Sequence, residues 1–315
     1  MKNSPTRSSC QLSIVSTLYR SQAFLPQFLD ECVAAVAETG IDDFEILLVD
    51  DGSPDAVVQW LREHRERYPK LRLVELSRNF GHHQAALAGL ACARGEWVFL
   101  IDCDLEVSPS ILKTFTERRL VTGADVVYGY QEQRKGHPIE RLGGAAFWQA
   151  FNWLSDTAVP ANILTERLMS RRYVDALLSL GDRNVFLGGM MYWAGFLQIG
   201  LPVLKKQRAG PSTYSFAKRL SLLVRAITSF STKPLHASLW VGMITVGGTG
   251  VYAAFIVGRK LLFPETTLLG FPTLVALITA LFGVVMLALG LIGIYVGRIF
   301  VQTQNRPNYI IKNIE

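Results

Sequence analysis

Two pairs of acidic residues follow apolar runs typical of β-strands, and they are the side chains best suited to chemistry. Asp102 and Asp104 come after the run VFLI, and Asp50 and Asp51 come directly after the run FEILLV. Mg²⁺ and Mn²⁺ bind carboxylate and phosphate oxygens together, and such a cation stabilises negative charge on a departing diphosphate. The alternative is structural, because aspartates often cap turns. The strand-end position of both pairs favours a metal and phosphate site.

The elements around these residues are predicted to alternate between strand and helix. Apolar runs and helical spacing indicate strands at 12–16, 44–49, 71–76 and 97–101, and helices at 24–38 and 84–93. This alternation is typical of an α/β fold, a mostly parallel sheet with helices on both faces. Ligands of such sheets bind beyond the carboxyl ends of the strands, where both acidic pairs fall. Ser53 is expected to be the N-cap of a further helix, with Pro54 in its first turn.

Two long stretches near the C-terminal end, 238–257 and 271–296, contain no charged residue. A bilayer core about 30 Å thick needs about 20 apolar residues at helical rise, so two transmembrane helices are predicted, at about 238–258 and 271–297. Buried core helices are the alternative, but they rarely run so long without a charge.

Charges near these stretches predict their orientation. Basic residues precede the first stretch and follow the second: Lys218, Arg219, Arg225, Lys233, Arg298, Arg306 and Lys312. The loop between the stretches holds Arg259 and Lys260 against Glu265, so the positive-inside rule puts both chain ends in the cytoplasm. No apolar run of signal-peptide length precedes the first strand, which agrees with that orientation at an inner membrane. The expected regions are an α/β domain (1–212), an amphipathic segment at the membrane surface or packed on the domain (213–236), two spans (237–297) and a cytoplasmic tail (298–315).

Several other function classes are disfavoured. The four cysteines show no Cys-x-x-Cys spacing and are expected to be reduced thiols rather than disulfides or zinc ligands. The net charge is +6, yet no dense basic run with interleaved aromatics predicts nucleic-acid binding; an anionic membrane face or a phosphorylated lipid suits the charge better. The first strand leads into TLYRSQAF, without the Gly-x-Gly-x-x-Gly of a dinucleotide-binding turn.

Motifs spread over nearly the whole chain carry a more specific resemblance. They are FEILLVDDGS (44–53), LSRNFGHHQAALAGL (76–90), ARGEWVFLIDCDLE (93–106), DVVYG (125–129), RAGPSTYSF (208–216), ITSFSTKPL (227–235), GLIGIYVGRIF (290–300) and NRPNYIIK (305–312). In this order they resemble family 2 glycosyltransferases of the polyprenyl-phosphate type, which include dolichol-phosphate mannose synthases and bactoprenol glucosyltransferases. The resemblance implies a GT-A fold, a UDP- or GDP-type sugar donor, Mg²⁺ or Mn²⁺ as cofactor, and inversion at the sugar carbon.

The resemblance also assigns roles on the donor side. Asp104 would be a direct metal ligand and a catalytic residue, and Asp102 would share both roles near the ribose. The nucleotide-binding residues would be Thr17, Tyr19, Asp50, Asp51, Ser77, Arg78, Gly81 and Asp102. In this set Thr17 and Tyr19 would flank the base or ribose, and Arg78 could bind a phosphate bidentately, although a surface ion pair explains it equally well.

The remaining members of the set belong to two turns. Asp50 would contact the nucleotide and Asp51 would support the turn, while Ser77 and Gly81 would lie in the loop beneath the diphosphate. His82 and His83 suggest an acid–base role, but a histidine at a helix start more often caps or packs.

On the acceptor side, Arg134, Arg141 and Arg208 are expected to bind acceptor or donor phosphates. Lys135 is explained equally well as a solvated surface cation.

Three positions depart from the family pattern. TLYRS (17–21) replaces Pro-x-Tyr-Asn-Glu, which leaves base recognition open, and Pro211 and Thr213 replace a common Glu and Lys. NILTER (162–167) lacks the Asp-x-Gly-Asp carboxylate that is often suspected as the base, and Glu166 is nearby but out of register. A hydroxyl acceptor needs a base, whereas a phosphate, with a second pKa of about 6, can attack without one. The departure therefore fits a lipid-phosphate acceptor, an altered acceptor or an inactive enzyme.

Three functions remain open from the sequence. The first is sugar transfer to polyprenyl (undecaprenyl) phosphate at the cytoplasmic membrane face. The second is transfer to a lipid-linked glycan or other hydroxyl acceptor in cell-envelope polysaccharide synthesis. The third is a silent nucleotide-sugar-binding scaffold, against which the intact Asp102 and Asp104 argue. A homo-oligomer is compatible with all three.

Overall fold

The computed structural model describes residues 10–131, 162–205, 231–262 and 270–315. The chain divides into two compact units. One contains Met1–Trp148, Val159–Tyr214 and Asn305–Glu315, and the other contains Gln149–Ala158 and Ser215–Gln304. The first unit is built around a β-sheet, and the second contains two long helices.

The described part of the sheet unit has alternating strands and helices. Its strands are β1 (Cys10–Leu18), β2 (Phe44–Asp50), β3 (Leu71–Leu76), β4 (Gly95–Leu100), β5 (Val126–Tyr130), β6 (Ile163–Ser170), β7 (Gln198–Pro202) and β8 (Ile311–Ile314). Its helices are α1 (Leu25–Ala37), α2 (Val57–Glu63), α3 (His82–Cys92), α4 (Ile111–Thr122), α5 (Arg171–Ser179) and α6 (Leu187–Trp193), with a 3₁₀ turn at Arg65–Arg67.

The strands form a single mixed sheet in the order β7-β5-β6-β4-β1-β2-β3-β8. β4, β1, β2 and β3 are parallel neighbours, β7 is parallel to β5, and β6 runs antiparallel between β4 and β5. β8 runs antiparallel to β3 at the edge. The predicted α/β architecture, a mostly parallel sheet of the kind the GT-A resemblance implies, is confirmed.

Helices cover both faces of this sheet because alternate strand residues are apolar on each side. On one face, side chains such as Leu12, Ile14 and Leu48 join α1, α2 and α4 in the main core. On the other face α3 lies so close to the strands that a Cβ at Gly89 would meet Val15 Cγ1 at 2.4 Å. Burying each large aliphatic side chain contributes roughly 1.5–3 kcal/mol. The close packing of α3 fixes the position of its first residue, His82, at the sheet edge.

Two local predictions need correction. The expected N-cap at Ser53 is wrong, because α2 begins only at Val57. The Ser53 hydroxyl instead donates to Asp55 and accepts from the backbone N–H of Arg20 at 2.8 Å, so the segment forms a turn rather than a helix start. The helix predicted at 84–93 begins two residues earlier, at His82.

The second unit contains α7 (Lys233–Leu262) and α8 (Phe271–Thr303). Lys233–Arg259, with a mean hydropathy of 1.6, and Ala280–Thr303, with 2.3, are long and apolar enough to cross a membrane on length and composition. Their apolar side chains are exposed, for example Ile244 at 70% and Leu287 at 77%. The two predicted apolar helices are therefore present.

The chain does not end as a separate tail after α8. Asn305–Glu315 belongs to the sheet unit, where β8 extends the sheet beyond β3. Of the predicted tail (298–315), residues Asn305–Glu315 are thus a structural part of the α/β domain.

Candidate functional site

The carboxyl ends of three neighbouring parallel strands share one edge of the sheet. The pairing of Leu18 with Asp50 and of Val15 with Leu100 sets the ends of β1, β2 and β4 side by side. Backbone hydrogen bonds continue this alignment beyond the strands, from Asp51 N to Leu18 O and from Ile101 N to Val15 O, both 3.0 Å long. The turns that carry the predicted site residues therefore leave the sheet at one edge.

The turn at 50–53 uses its carboxylates to bind backbone amides. Asp50 Oδ1 accepts from Ser53 N at 3.1 Å. Asp51 accepts with both oxygens, from Phe80 N at 2.7 Å and from Gly81 N at 2.9 Å. Burial raises the pKa of Asp50 to about 6, and it also raises the pKa of Asp51 although the two amides favour its charged form. Asp51 thus holds the loop at 77–81 against the turn.

The loop at 77–81 lies directly over this turn. Gly52 has φ +63°, and a Cβ there would meet Asn79 N at 2.6 Å and the carbonyl carbon of Arg78 at 2.7 Å, so only glycine fits. The Arg78 guanidinium stacks over the Phe80 ring at 4.1 Å, and Ser77 and Arg78 are both exposed. A cation and exposed polar groups on a well-anchored loop suit the binding of a phosphate.

The turn at 102–104 leaves more of its carboxylate oxygen atoms without protein partners in the described residues. Asp104 Oδ1 accepts from Glu106 N at 3.0 Å. Asp102 Oδ1 lies 3.6 Å from His82 Nε2, and its side chain is 30% exposed. Burial raises the pKa of Asp104, and the neighbouring charges of Glu106 and Asp102 raise it further. Between the two aspartates the buried Cys103 thiol donates to Thr17 O at 3.3 Å, which ties this turn to β1.

His82 links two predicted site residues, a contact that sequence reasoning missed. Its Nδ1 is hydrogen-bonded to the Thr17 hydroxyl at 3.0 Å, and its Nε2 faces Asp102. The position of His82 at the start of a helix was visible in the sequence, but its partners come from two distant strand ends. His83 points elsewhere and packs edge-on against Phe186, and burial lowers its pKa.

The segment after β1 is bound to the turn after β2. The hydroxyl of Ser53 accepts from Arg20 N, and the carboxylate of Asp55 accepts from Gln22 N at 3.2 Å. Tyr19 stays 47% exposed, with the Arg20 guanidinium 5.6 Å from its ring centre. An exposed aromatic ring on a fixed loop can stack on a flat ligand group.

Three more charged groups surround the turn at 102–104. Glu106 and Lys205 form an ion pair, and nearby carboxylates raise the pKa of Lys205 although burial opposes its charge. Pairing of Arg167 with Leu100 puts Glu166 just beyond the end of β4, near Asp102. Burial and the Asp102 charge raise the pKa of Glu166 to about 7, and the residue is 3% exposed. Sequence reasoning assigned no role to Lys205 or to Glu106, although Glu106 ends the motif ARGEWVFLIDCDLE.

Metal ligands at this edge are few in the part of the chain that the structure describes. Those residues contain no group of three or more His, Cys, Asp or Glu that could hold an ion by themselves. Asp102 and Asp104 form a pair, which fits an ion that also binds substrate phosphate, because Mg²⁺ is usually held by one or two carboxylates plus phosphates. The predicted acceptor residues Arg134, Arg141 and Arg208 lie outside the described residues.

Comparison with known proteins gives consistent results. The sequence model of Glycosyl transferase family 2 matches residues 13–174. A Mycobacterium tuberculosis (strain CDC 1551 / Oshkosh) protein provisionally named a glycosyltransferase is 38% identical over 96% of this chain and 88% of its own length. The bactoprenol glucosyl transferase of Shigella phage SfV is 30% identical over 96% of this chain and 98% of its own.

Among solved structures, the mannosyltransferase PcManGT of Pyrobaculum calidifontis aligns over 94% of this chain and 87% of its own. Its sequence identity is 16% and its TM-score is 0.48, a similarity too distant to inform substrate or metal. The family match covers the strands and turns that build the sheet edge, and the relatives extend over nearly the full length. The chain therefore belongs to glycosyl transferase family 2 and is a glycosyltransferase.

Proposed function

We propose that this enzyme transfers a sugar from a nucleotide-diphosphate donor to polyprenyl phosphate at the cytoplasmic face of a membrane, with inversion at the sugar carbon. The observation that carries the proposal is the turn at 102–104. Its carboxylates lie at the carboxyl edge of the sheet, beside Thr17 and close to the start of α3. Ligands of parallel α/β sheets bind at this edge.

Each part of the edge suits a different part of the donor. The exposed ring of Tyr19 is proposed to stack on the base, with Thr17 beside it and Asp50 nearby. Asp102 is proposed to bind the ribose. The loop at 77–81, anchored by Asp51, is proposed to hold the diphosphate through the Arg78 guanidinium and exposed polar groups.

The residues at 102–104 fit a divalent ion that arrives with the donor. Asp104 would hold Mg²⁺ or Mn²⁺ directly, with Asp102 close by. When bound, the ion neutralises charge that develops on the departing diphosphate. The Lys205 ammonium, paired with Glu106, reduces the repulsion among the carboxylates around the turn.

A phosphate acceptor explains the chemistry with the fewest groups. A phosphate oxygen of the lipid attacks C1 of the sugar from the face opposite the departing diphosphate, the bond from C1 to the diphosphate oxygen breaks, and the electron pair leaves with the nucleoside diphosphate. An ionised phosphate needs no base, so the buried Glu166 beside Asp102 need not remove a proton from the acceptor. Arg134, Arg141 and Arg208 are proposed to hold the phosphate in line.

Two observations support a lipid acceptor and a membrane location. Relatives that match over nearly their full length are named bactoprenol glucosyl transferases. α7 and α8 have the length and hydropathy of membrane spans.

The connectivity of the chain supports the predicted orientation. β1–β7 precede the two apolar helices and β8 follows them, and all belong to one sheet. If both helices cross the membrane, the chain must return to the side from which it left, so the sheet unit lies on one side. We propose that this side is the cytoplasm, because the flanking segments carry the excess of Lys and Arg.

The decisive experiment compares acceptors that differ only in the reacting group. Purified full-length protein in detergent receives UDP-, GDP-, CDP- and dTDP-sugars with Mn²⁺ or Mg²⁺, and either undecaprenyl phosphate or undecaprenol. The expected product is a sugar-phosphate lipid from the phosphate alone, lost with EDTA and regained with added ion. Transfer to undecaprenol, or only to a preassembled glycolipid, would instead identify a hydroxyl acceptor.

A labelling experiment tests the orientation separately. In a variant without the four native cysteines, a cysteine at Glu265 is expected to react with an impermeant maleimide added outside intact cells. A cysteine at Lys312 is expected to react only after the cells are opened. The reverse pattern would contradict a cytoplasmic sheet unit.

A further inference from the structure

The last residues of the chain, Asn305–Glu315, extend the sheet beyond the segment that the family model covers. We call them the strap. β8 pairs with β3 in antiparallel register, with Val74 opposite Ile314 and Glu75 opposite Asn313. Backbone bonds run from Leu73 N to Glu315 O at 3.1 Å and from Glu315 N to Leu73 O at 2.9 Å. The strap thereby covers an edge strand that would otherwise present unpaired backbone groups.

Side chains fasten the end of the strap to α2 and β3. The Glu315 carboxylate accepts from Arg62 Nε at 3.0 Å and from Arg62 Nη2 at 2.6 Å, and Arg65 Nη1 lies 3.7 Å away. Arg62 also binds Glu75 at 2.5 Å. Hydrogen bonds from Arg62 lower the pKa of Glu315, as expected for a carboxylate held by cations.

The beginning of the strap is fastened at a second place, the turn after α5. Asn308 Nδ2 donates to Asp182 O at 2.8 Å, and the Arg183 side chain donates to Asn305 Oδ1. The strap is therefore attached to the sheet unit at both of its ends. Between these attachments it runs past the end of β3.

The strap meets the candidate donor site at Ser77. Ser77 N donates to Ile310 O at 2.9 Å, just after a register shift between Glu75 and Leu76. Ser77 is the first residue of the loop at 77–81, and the far end of that loop is bound by Asp51 through Phe80 N and Gly81 N. The loop thus has two anchors, one from the turn after β2 and one from the strap.

We infer that the strap is a positioning segment for the donor: it holds the loop at 77–81 in the conformation that binds the diphosphate. The role of the loop in donor binding rests on the proposed function, whereas the ordering of the loop by the strap does not. A loop that is ordered before binding loses less conformational entropy when the ligand arrives, so loss of the strap weakens donor binding.

Three variants, one shortened and two of full length, test this inference. One ends after Tyr309, which removes the bond to Ser77 and the whole of β8. Glu315→Ala removes the side-chain attachment and leaves the strand. Lys312→Ala is the matched control, because this side chain is 66% exposed and its Nζ lies 3.8 Å from Glu75 Oε2, too far for a hydrogen bond.

The first measurement needs no ligand. Hydrogen exchange of the backbone amides at 77–81 is expected to accelerate strongly in the shortened chain, moderately in Glu315→Ala and not in Lys312→Ala, while exchange at 102–106 stays unchanged. If the shortened chain does not fold, Glu315→Ala carries the test. Unchanged exchange at 77–81 in the shortened chain, or in Glu315→Ala if the shortened chain does not fold, would overturn the inference.

The second measurement separates this inference from the proposed function. Calorimetric titration with UDP and with GDP, each with Mn²⁺, is expected to show about tenfold weaker binding by the shortened chain, restored by a synthetic peptide of the missing residues 310–315. The KM for the lipid acceptor should stay constant. A lower melting temperature with unchanged nucleotide Kd would mean that the strap only stabilises the fold, which contradicts positioning. Wild-type protein that binds neither nucleotide would count against the proposed function, and the exchange result would still decide the ordering role.

Discussion

The turns at 50–53 and 102–104 both follow buried parallel strands and both carry two carboxylates, yet they use them differently. In the first turn, three backbone amides, those of Ser53, Phe80 and Gly81, occupy the carboxylates of Asp50 and Asp51. In the second turn, one amide binds Asp104, and Asp102 Oδ1 lies 3.6 Å from His82 Nε2. One turn thus holds the site together, and the other keeps oxygen atoms for a ligand.

The largest effect is expected in the second turn. Asp104→Asn removes one negative oxygen from the proposed metal ligand but can still accept the hydrogen bond from Glu106 N. We expect kcat to fall about 10³-fold, equivalent to roughly 4 kcal/mol of transition-state stabilisation. The melting temperature should change little. Activity near that of wild type at saturating Mn²⁺ would show that Asp104 does not hold the ion.

In the first turn the same kind of change should affect the fold most. Asp51→Ala leaves Phe80 N and Gly81 N without their acceptor, which is expected to cost about 2–3 kcal/mol of unfolding free energy. For a domain of this size the melting temperature would fall by roughly 5–10 °C. Asp51→Asn keeps one acceptor oxygen and should lose about half as much. If Asp51→Ala melts like wild type but loses all activity, the two turns do not differ as we propose.

Sequence patterns predicted the positions of these turns, and the family resemblance assigned Asp51 to the support of its turn, but neither identified the amides that Asp51 binds. FEILLVD and GEWVFL are nearly continuous apolar runs, as expected for strands buried on both faces, so the sheet edge could be inferred. The partners of Asp51 lie 29 and 30 residues along the chain, in a loop without local signal. Only the folded arrangement separates an aspartate bound to backbone amides from one available to a ligand.

Other elements escaped prediction for the same reason. β8 has the short mixed sequence IKNI, and its pairing with β3 brings Asn313 to Glu75, 238 residues away. Ser53 followed by Pro54 suits a helix start and a turn equally well, and the distant contact with Arg20 decides for the turn. The motif around Glu166 predicts that this residue is out of register, whereas the β4–β6 pairing puts it near Asp102.

A smaller effect is expected at Asp50, and it depends on pH. Burial raises its pKa in the folded protein to about 6, above the value of about 3.9 in an unfolded chain. Between those values the folded state binds more protons, so the contribution of Asp50 to stability falls as pH rises through about 4 to 6. Asp50→Asn is therefore expected to raise the unfolding free energy by about 1–2 kcal/mol at pH 8 without ligand, with little gain at pH 4.

Thermal melting in detergent across this pH range tests the expectation, with Asp42→Asn as the control. Asp42 is an exposed loop residue, and its substitution should leave the melting curve unchanged at every pH. Destabilisation by Asp50→Asn at pH 8 would mean that the ionised Asp50 stabilises the fold. Both carboxylates of the first turn would then be structural, in contrast to those of the second turn.

The smallest effect should come from His82, which joins the second turn to β1 without holding either in place. His82→Ala removes its hydrogen bond to Thr17 and its contact with Asp102, but the backbone of both is fixed by strand pairing and by the Cys103 thiol. Losing one such bond is worth about 0.5–1.5 kcal/mol, so the KM for the donor should rise roughly 2- to 12-fold with a nearly constant melting temperature. His64→Ala is the control, because it also removes a histidine ring, but one that stacks on Trp60 instead of contacting Thr17 and Asp102. A kcat loss as large as that of Asp104→Asn would instead place His82 among the catalytic residues and extend the ligand-binding role of the second turn to α3.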